Sequence, residues 1–437
     1  MTSRVNPATL VPGDPGERDR PVFQFSRMES LLRGHRLRRL TVDGVDAVFV
    51  RDPVLVRRIL VSESKNYGKG ELFRKARNLS RVGMLSEDET MHRHYRRLVN
   101  PYLRSSKVGD YLPTMRHIVR DMVSSWRPGD TVDVQSEMCR IACAIAVGTL
   151  IVGLPADTTK ELGERLARLA GEMIRKPLYG KAAHRTARPG APNRLSRARK
   201  EFRDLLRECI ADPPEAPAWT NGYLSTLLTD SDEQGNRVLT PDEVCEEAVM
   251  MLTSATVTTA SVMSWALHVL SRNPLAEERL LKDLTERRGG GATHDHTSSY
   301  TVRFLMEIMR LYPPVWISCR KTLAEVELGD QAIPAGTNVV FSSYLLHRDN
   351  QSYPNPHQFD PDRWLSVQLG KIEAAYIPFG IGSKGCIGEP FAWLELEVIL
   401  DVVTQEWKLN SVPDRQFRTA PETTLHPRRL HLVSQPR

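Results

Sequence analysis

One apolar segment near the middle of the chain constrains the fold more than any other feature. Thr240-Pro241-Asp242-Glu243 supplies a capping hydroxyl, a proline at the first helical position and a carboxylate three residues after the cap, which together predict a helix start. Nothing stops the helix before Asn273-Pro274, so it spans roughly 30 residues, or ~45 to 50 Å. From Ala248 to Leu270 it is apolar on nearly every side. Such a helix has to run through the interior of a large, helical protein.

The rest of the chain adds further helices and a few short strands. Leu37 to Val50 alternates apolar and polar residues around a turn at Asp43-Gly44, which predicts a β-hairpin, and Val326 to Phe341 predicts more short strands. The apolar spacing from Pro53 to Leu284 is mostly helical. We therefore expect a mainly α fold with small antiparallel β-sheets.

No change in composition divides the chain into separate domains. Residues 1–20 are polar and contain several prolines and glycines, which predicts a flexible N-terminal arm, and residues 21–437 are predicted to form a single domain. The run from Arg288 to Ala292, with its three consecutive glycines, predicts a flexible connector within that domain.

Composition and charge limit the compartment and the partners. The N-terminal segment lacks the apolar stretch of an export signal, and no run reaches the ~18 to 20 apolar residues of a membrane span, so we expect a soluble, cytoplasmic protein without a membrane partner. The net charge of +7 suits nucleic acid, anionic lipid or an acidic protein. Because no nucleic-acid-binding module is visible, an acidic protein or an anionic cofactor is favoured.

One of the six cysteines has unusual surroundings. Cys386 lies in Phe379-Gly380-Ile381-Gly382-Ser383-Lys384-Gly385-Cys386-Ile387-Gly388, directly before a helical pattern that begins at Glu389. The glycines let the backbone turn tightly and approach a flat ligand, and the helix N-terminus favours an anionic sulfur. A buried cysteine in a glycine-rich turn is the alternative. The pattern favours a seat for a metal-bound thiolate.

The pattern F-x-x-G-x-x-x-C-x-G around this cysteine closely resembles the haem-binding loop of the cytochrome P-450 family. The resemblance implies the cytochrome P-450 fold, haem b (heme b, iron protoporphyrin IX) as cofactor, Cys386 as the iron ligand, and Phe379 and Gly388 as haem contacts. An axial thiolate pushes electron density toward cleavage of dioxygen. The chain is thereby expected to be a haem-thiolate monooxygenase.

Two further segments extend the resemblance to a structural cluster. Glu307-Ile308-Met309-Arg310 resembles the family's E-x-x-R, whose spacing places acid and base on one helical face. Phe359-Asp360-Pro361-Asp362-Arg363-Trp364 resembles the segment that supplies the last member of a Glu-Arg-Arg cluster. By this resemblance Glu307, Arg310 and Arg363 support the fold beneath the haem. Taken alone, the spacing is also that of a solvated surface salt bridge.

The resemblance also implies four basic contacts to the haem. His92 and Arg96, four residues apart on one helical face, resemble the pair that faces a haem propionate. Arg320 resembles the arginine of the other propionate, and Lys384 occupies a position where the family often has arginine or histidine. A basic surface helix is the alternative for the first pair.

The centre of the long helix departs from the family pattern. Ser254-Ala255-Thr256-Val257-Thr258-Thr259 resembles the segment that crosses the distal face of the haem, which implies that the Thr258 hydroxyl steadies dioxygen and passes protons to it. Val257 stands where the family has an acid, and Ala255 replaces a glycine. Proton delivery needs an ionisable group or ordered water. Protons are therefore expected to arrive through Thr256, Thr258, the substrate or water, unless the reaction needs no ordinary hydroxylation cycle.

The substrate chamber is expected, again by resemblance, to be mostly apolar. Its predicted walls come from five segments of the chain and include Leu85, Met251, Ser254, Ala255, Val315, Trp316, Ile317 and Thr424. Such walls suit a medium-sized hydrophobic substrate, for which terpenoid, polyketide and peptide-derived aromatic natural products are candidates.

The expected activity needs partners that this chain does not supply. No flavin or nicotinamide fingerprint is visible, so electrons are expected from a separate donor, an acidic ferredoxin or a flavodoxin-type protein docking near the Cys386 loop. Two alternatives stay open: oxidative C–C or C–N ring closure without oxygen insertion, and a haem-binding protein without turnover.

Overall fold

The described part of the chain is mostly helical. The computed structural model describes residues 25–32, 34–42, 45–70, 89–176, 194–232, 234–235, 237–289, 299–365, 375–412 and 417–437. Its α-helices, numbered in chain order, are α1 (Phe25–Leu32), α2 (Pro53–Arg57), α3 (Glu89–Leu103), α4 (Ser105–Val108), α5 (Leu112–Val123), α6 (Val134–Leu150), α7 (Ala156–Ile174), α8 (Arg194–Ala211), α9 (Pro217–Thr220), α10 (Tyr223–Thr229), α11 (Pro241–Leu270), α12 (Pro274–Gly289), α13 (Tyr300–Leu311), α14 (Ser343–Leu346) and α15 (Glu389–Glu406). The predicted arm, residues 1–20, lies outside the described residues.

The predicted central helix is confirmed as α11. Its start is a capping box, because the Thr240 N–H donates to Glu243 Oε2 at 2.9 Å while the Glu243 N–H donates to Thr240 Oγ1 at 3.3 Å. The helix packs against α6, α7, α8 and α15, which enclose it on several sides. The largest hydrophobic cluster of the protein surrounds α11 and extends to the helices on both sides of it in the chain.

Short strands form sheets at the edge of this helical body. The strands are β1 (Leu37–Val42), β2 (Val45–Val50), β3 (Tyr67–Lys69), β4 (Thr131–Asp133), β5 (Ser318–Thr322), β6 (Val326–Leu328), β7 (Gln331–Ile333), β8 (Asn338–Phe341), β9 (Trp407–Ser411), β10 (Arg418–Pro421), β11 (Leu425–Arg428) and β12 (His431–Pro436). The main sheet has the order β1-β2-β8-β5-β3, and smaller sheets pair β10 with β11, β6 with β7, and β4 with β12 and β9.

The sheets agree with the sequence-based expectation in all but one pairing. The predicted hairpin is confirmed, with Leu37 opposite Val50, and the remaining pairs are antiparallel except β2 with β8, which run parallel. Alternate residues of β2 enter different hydrophobic clusters: Ala47 and Phe49 pack with α1, whereas Val48 and Val50 pack with α2. Two helices therefore cover the two faces of the main sheet.

One predicted boundary is wrong by two residues. Arg288 and Gly289 belong to the last turn of α12 and not to a connector. Arginine is a good helix former and glycine is tolerated where a helix ends, so the helix continues into the first residues of the glycine run. The remainder of the predicted connector lies outside the described residues.

Candidate functional site

The Cys386 loop is a tight turn that only glycine permits at two points. Gly380 and Gly382 have φ angles of +67° and +78°, in the left-handed region that side chains disfavour. A Cβ atom on Gly382 would lie 2.2 Å from the Leu60 carbonyl oxygen, which belongs to the π-helical turn that follows α2. The Cys386 N–H donates to the Phe379 carbonyl at 2.8 Å and closes the loop. These contacts set the sulfur just before α15.

The Cys386 side chain has surface accessible to solvent although much protein lies around it. The residue is exposed, yet desolvation by the surrounding protein raises the pKa of its thiol. A side chain shows both properties when it borders an internal space. The Gly388 N–H and the Arg96 charge act in the opposite direction and lower the thiol pKa. A backbone donor and a cation are the groups that stabilise a thiolate.

Two basic side chains predicted to contact the haem fasten the loop. Arg96 Nη1 donates to the Gly385 carbonyl at 2.8 Å. Lys384 Nζ donates to the Tyr67 carbonyl at 3.1 Å and lies 3.1 Å from Glu89 Oε2. The Lys384 ammonium is thus engaged with β3 and the start of α3. Both contacts hold the chain segment that presents Cys386.

His92 and Arg320 are polar groups with few protein partners. His92 is 7% exposed, and its Nδ1 atom is buried without a hydrogen-bond partner in the described protein. Its pKa is lowered, first by burial and then by neighbouring cations that include Arg96 and Lys384. The Arg320 guanidinium donates to the Cys319 carbonyl at 2.9 Å, and burial lowers its pKa. Among the described residues no carboxylate pairs with Arg320. Both side chains suit an anionic group that the described residues do not provide.

The long helix is open on one face of its middle. Between Glu247 and His268 every residue is buried except Ser254, Ala255 and Thr258, which we call the open face of α11. Thr258 lies four residues after Ser254 and three after Ala255, and these spacings place side chains on the same side of a helix. The Thr258 hydroxyl donates to the Ser254 carbonyl at 2.9 Å. Three of the residues that the sequence predicts over the haem therefore keep accessible surface in the middle of an otherwise buried stretch of helix.

One residue that lies beside this turn of α11, on a neighbouring helix, was not predicted from the sequence. Val257 is 4% exposed and packs in the main cluster, and the Thr256 hydroxyl donates to the Thr253 carbonyl at 3.2 Å. Thr259 Oγ1 lies 2.8 Å from Oε2 of Glu395, which is 1% exposed on α15. Burial raises the Glu395 pKa to about 8. An acid lies beside this turn after all, although it comes from another helix.

Glu307, Arg310 and Arg363 are in contact. Two parallel hydrogen bonds of 2.8 Å join Arg310 to the Glu307 carboxylate, and Arg363 Nε donates to Glu307 Oε1 at 3.0 Å. The Asp360 N–H and the Trp364 indole also donate to Glu307, at 2.9 and 3.2 Å. Glu307 and Arg310 are fully buried. Glu307 and Arg310 therefore do not form the surface salt bridge that their spacing also allowed, but belong to a buried hydrogen-bond network.

The predicted chamber residues differ in their surroundings. Val315 is 46% exposed, whereas Met251, Trp316 and Ile317 are buried. Thr424 is also buried, and its hydroxyl lies 2.7 Å from that of Ser261 on α11. Leu85 lies outside the described residues. Apart from Ser254 and Ala255 on the open face of α11, Val315 therefore has the largest accessible surface among the described chamber residues.

None of the helices in the described ranges combines the length and apolarity needed to cross a membrane.

Comparisons with known proteins agree with the fold. The model of the family Cytochrome P-450 matches residues 33–434. Cyclooctat-9-en-7-ol 5-monooxygenase of Streptomyces melanosporofaciens is 32% identical over 390 residues, covering 88% of this chain and 85% of the relative. Pentalenene oxygenase of Streptomyces avermitilis is 29% identical over 415 residues, covering 93% and 91%.

Solved structures show the same fold at lower identity. A retinoic-acid-bound cyanobacterial CYP120A1 superposes with a TM-score of 0.79 at 18% identity, covering 95% of each chain. CYP175A1 from Thermus thermophilus superposes with a TM-score of 0.72 at 22% identity, covering 94% of each chain. The mainly α architecture, the family match and the relatives lead to one conclusion: this chain belongs to the cytochrome P-450 family and is a monooxygenase of the haem-thiolate type.

Proposed function

We propose that residues 21–437 act as one domain that holds haem b through Cys386 and oxidises a hydrophobic small molecule. The observation that carries the proposal is that the Cys386 side chain keeps accessible surface although protein surrounds it, at the end of a loop fastened by Arg96 and Lys384. Bound there, haem supplies the activation of dioxygen, from which one oxygen atom is transferred to the substrate.

The residues around the loop fit such a cofactor. Its propionates would satisfy the buried Nδ1 atom of His92 and the Arg320 guanidinium, both of which lack an anionic partner among the described residues. Arg96 would face the same carboxylates while it holds the Gly385 carbonyl. By the family resemblance, Phe379 and Gly388 would contact the ring. Gly388 is close to the sulfur, since a Cβ atom on it would lie 3.9 Å from Cys386 Sγ.

The test is whether the thiolate comes from Cys386. Reduced protein treated with carbon monoxide is expected to show the absorbance band characteristic of thiolate ligation, and Cys386→Ala is expected to lose it. Cys209→Ala, which changes another cysteine of the main cluster, is the matched control and should keep the band. Retention of the band in Cys386→Ala would overturn the assignment.

Thr258 is proposed as the hydroxyl that holds a proton on the open face of α11. Its proton is donated to the Ser254 carbonyl, which leaves the lone pairs of Oγ1 able to accept from water or from a substrate hydroxyl. Thr258→Val is expected to raise the peroxide formed per dioxygen consumed, whereas Thr258→Ser should stay near wild type. Equal coupling in all three proteins would count against the role.

The substrate is proposed to be a polycyclic terpenoid. The two Streptomyces relatives are named for oxidation of cyclooctat-9-en-7-ol and pentalenene. Of the accessible wall residues, Val315 and Ala255 are apolar and Ser254 is polar. A panel of terpenoid, polyketide and peptide-derived compounds would be screened for changes in the haem spectrum and for product mass. The proposal predicts the largest spectral changes with polycyclic terpenoids.

Ring closure without oxygen insertion is a second candidate, favoured by one observation. Val257 is buried where the family has an acid, so the supply of protons differs from that of an ordinary hydroxylase. Oxygen-18 from labelled dioxygen is expected in the product of a hydroxylation and is absent from the product of a ring closure.

The electron donor is proposed to be an acidic ferredoxin that docks on α3. Arg93, Arg97 and Arg104 are exposed on α3 and at its C-terminal end, whereas His92 is buried and Arg96 is half-buried. Charge complementarity raises association rates and makes them sensitive to salt. Arg97→Glu is expected to slow reduction by a ferredoxin several-fold at low salt. Lys200→Glu, on a helix that packs against α7 and α11, should have little effect.

A further inference from the structure

Glu395 has very few partners for a buried acid. It lies on α15, which packs against α11, and its side chain is 1% exposed. Oε2 is 2.8 Å from Thr259 Oγ1, whereas Oε1 is buried without a hydrogen-bond partner in the described protein. An ionised carboxylate usually attracts several donors or a cation when it is buried. Among the described residues, the Glu395 carboxyl group has one hydrogen-bond partner, the Thr259 hydroxyl.

The hydrogen bonds of Thr259 also favour an uncharged Glu395. Thr259 Oγ1 lies 3.0 Å from the Ala255 carbonyl as well as 2.8 Å from Glu395 Oε2. A hydroxyl has one proton, so it cannot donate to both acceptors. If Glu395 is protonated, its O–H donates to Thr259, and the Thr259 proton is then free for the Ala255 carbonyl. Both contacts are satisfied in that state only.

The electrostatic surroundings agree with this geometry. The raised pKa of Glu395, about 8, results from desolvation, which the Thr259 hydroxyl only partly opposes. On α6 the titratable neighbour is Cys143, whose own thiol pKa is raised by burial. In the part of the chain that is described, no cation of α6, α11 or α15 contributes to the shift.

Loss of the proton would change the hydrogen bonding of α11. An ionised Glu395 accepts from Thr259, so the Thr259 hydroxyl can no longer donate to the Ala255 carbonyl. Ala255 belongs to the open face of α11. Its carbonyl oxygen, which still accepts the helical N–H bond, would regain a lone pair for a donor on the side of the chamber.

We infer that Glu395 is a positioning residue that acts through Thr259: its protonation state decides whether the Ala255 carbonyl is occupied by the Thr259 hydroxyl or is open to a donor at the site. The inference depends on the proposed function in one respect: it takes the space beside the Ala255 carbonyl to be the proposed haem site. Glu395 would make the hydrogen bonding of α11 depend on pH, in a helix that has Val257 where the family has an acid.

The first experiment tests the carboxyl group without using the haem. Infrared spectra of the purified protein, titrated through a pH range centred on about 8, are expected to lose the carbonyl stretch of a protonated carboxylic acid as pH rises. Carbon-13 glutamate labelling should shift the band. Glu395→Gln should lack it, and Glu397→Gln, which changes an ion pair with Arg287 on the same helix, should keep it. Absence of the band in wild type overturns the inference and leaves the proposed function intact.

The second experiment tests the coupling to the site. With carbon monoxide as the probe on reduced protein, the C–O stretch is expected to shift with the same midpoint in wild type and in Glu397→Gln. Glu395→Gln, whose amide donates to Thr259 at every pH, should stay at the low-pH value. Thr259→Val, which leaves the Ala255 carbonyl without a hydroxyl donor, should stay at the high-pH value.

The outcomes separate the two proposals. A C–O stretch that does not change with pH, beside a carboxyl band that titrates, overturns the coupling. Failure to form a thiolate-type carbon monoxide complex at all counts against the proposed function, while the infrared titration of Glu395 stands independently of it.

Discussion

Glu307 and Glu395 are both buried glutamates on helices next to the proposed haem site, and their surroundings are opposite. Glu307 accepts hydrogen bonds from two arginines, one indole and one backbone N–H. Among the described residues, Glu395 meets a single threonine hydroxyl. The same side chain, removed from water to the same degree, has two cationic partners in one place and none in the other.

The difference shows that burial alone does not determine what a glutamate does. With two guanidinium partners, Glu307 joins α13 to the segment around Arg363 and fixes their relative position. With no such partner among the described residues, the raised pKa of Glu395 lies in a range where a small change of pH changes its charge. The first acid stabilises one arrangement, and the second can alternate between two.

Removing the Glu307 carboxylate is expected to have the largest effect. Glu307→Ala leaves the buried Arg310 and the nearby Arg363 without their acid, which should lower the free energy of unfolding by about 3 to 5 kcal/mol. Urea denaturation followed by circular dichroism measures the change. Glu307→Gln keeps the shape and removes the charge, and should be destabilised as well. Near-wild-type stability of both variants would mean that the network contributes little.

Neutralising Glu395 should have the opposite sign. The folded-state pKa of about 8 exceeds the ordinary glutamate pKa of 4.5, so wild type loses stability as pH rises from about 4.5 to 8, by about 3 kcal/mol at neutral pH. Glu395→Gln should remove this dependence and be more stable than wild type at pH 8 but not at pH 4.5. Unfolding curves at several pH values test it, with Glu397→Gln as control. A Glu395→Gln protein that is destabilised at every pH contradicts the comparison.

Thr259→Val should change the free energy of unfolding by a smaller amount, and it tests the contact between Thr259 and Glu395. The variant loses the one donor of the Glu395 carboxyl group, so the Glu395 pKa should rise further and the loss of stability with pH should extend to higher pH. Below the pKa the cost is about 1 kcal/mol, the value of one buried hydrogen bond. Infrared titration and unfolding curves measure the two effects. An unchanged midpoint would show that Thr259 does not touch the carboxyl group in solution.

The smallest effect is expected for an exposed ion pair. Lys107 and Asp110, 3.0 Å apart, are both well exposed. Asp110→Asn should change the free energy of unfolding by no more than about 0.5 kcal/mol, and less at high salt. A loss approaching that of Glu307→Ala would mean that charge pairing as such, and not burial, distinguishes the sites.

The parts of the fold that the sequence predicts are those with local signals. The capping box at Thr240 and Glu243, the alternation in Leu37 to Val50 and the glycine pattern around Cys386 each depend on residues close together in the chain. The contact between Glu307 and Arg310 follows from helical spacing, but Arg363 reaches them from 56 residues beyond Glu307 and was found only by family resemblance.

Long-range contacts escaped the sequence analysis. Thr259 and Glu395 are 136 residues apart. The one available signal was an acid between Leu394 and Leu396 in a mostly apolar segment of the helix, which indicates a buried charge but not its partner. Likewise the basic character of Lys384 was visible, but its contacts with Tyr67 and Glu89 depend on how β3 and α3 meet the loop.

The fit of Gly382 against Leu60 links distant parts of the chain. A methyl group at this position would collide with the Leu60 carbonyl, so the cysteine-bearing turn is seated directly on the π-helical turn next to the main sheet. Rearrangements of the N-terminal third therefore reach the Cys386 sulfur, the proposed iron ligand, through backbone contact. A protein engineer who alters that sheet should expect shifts in the redox and spectral properties of the cofactor, even though none of the altered residues touches it.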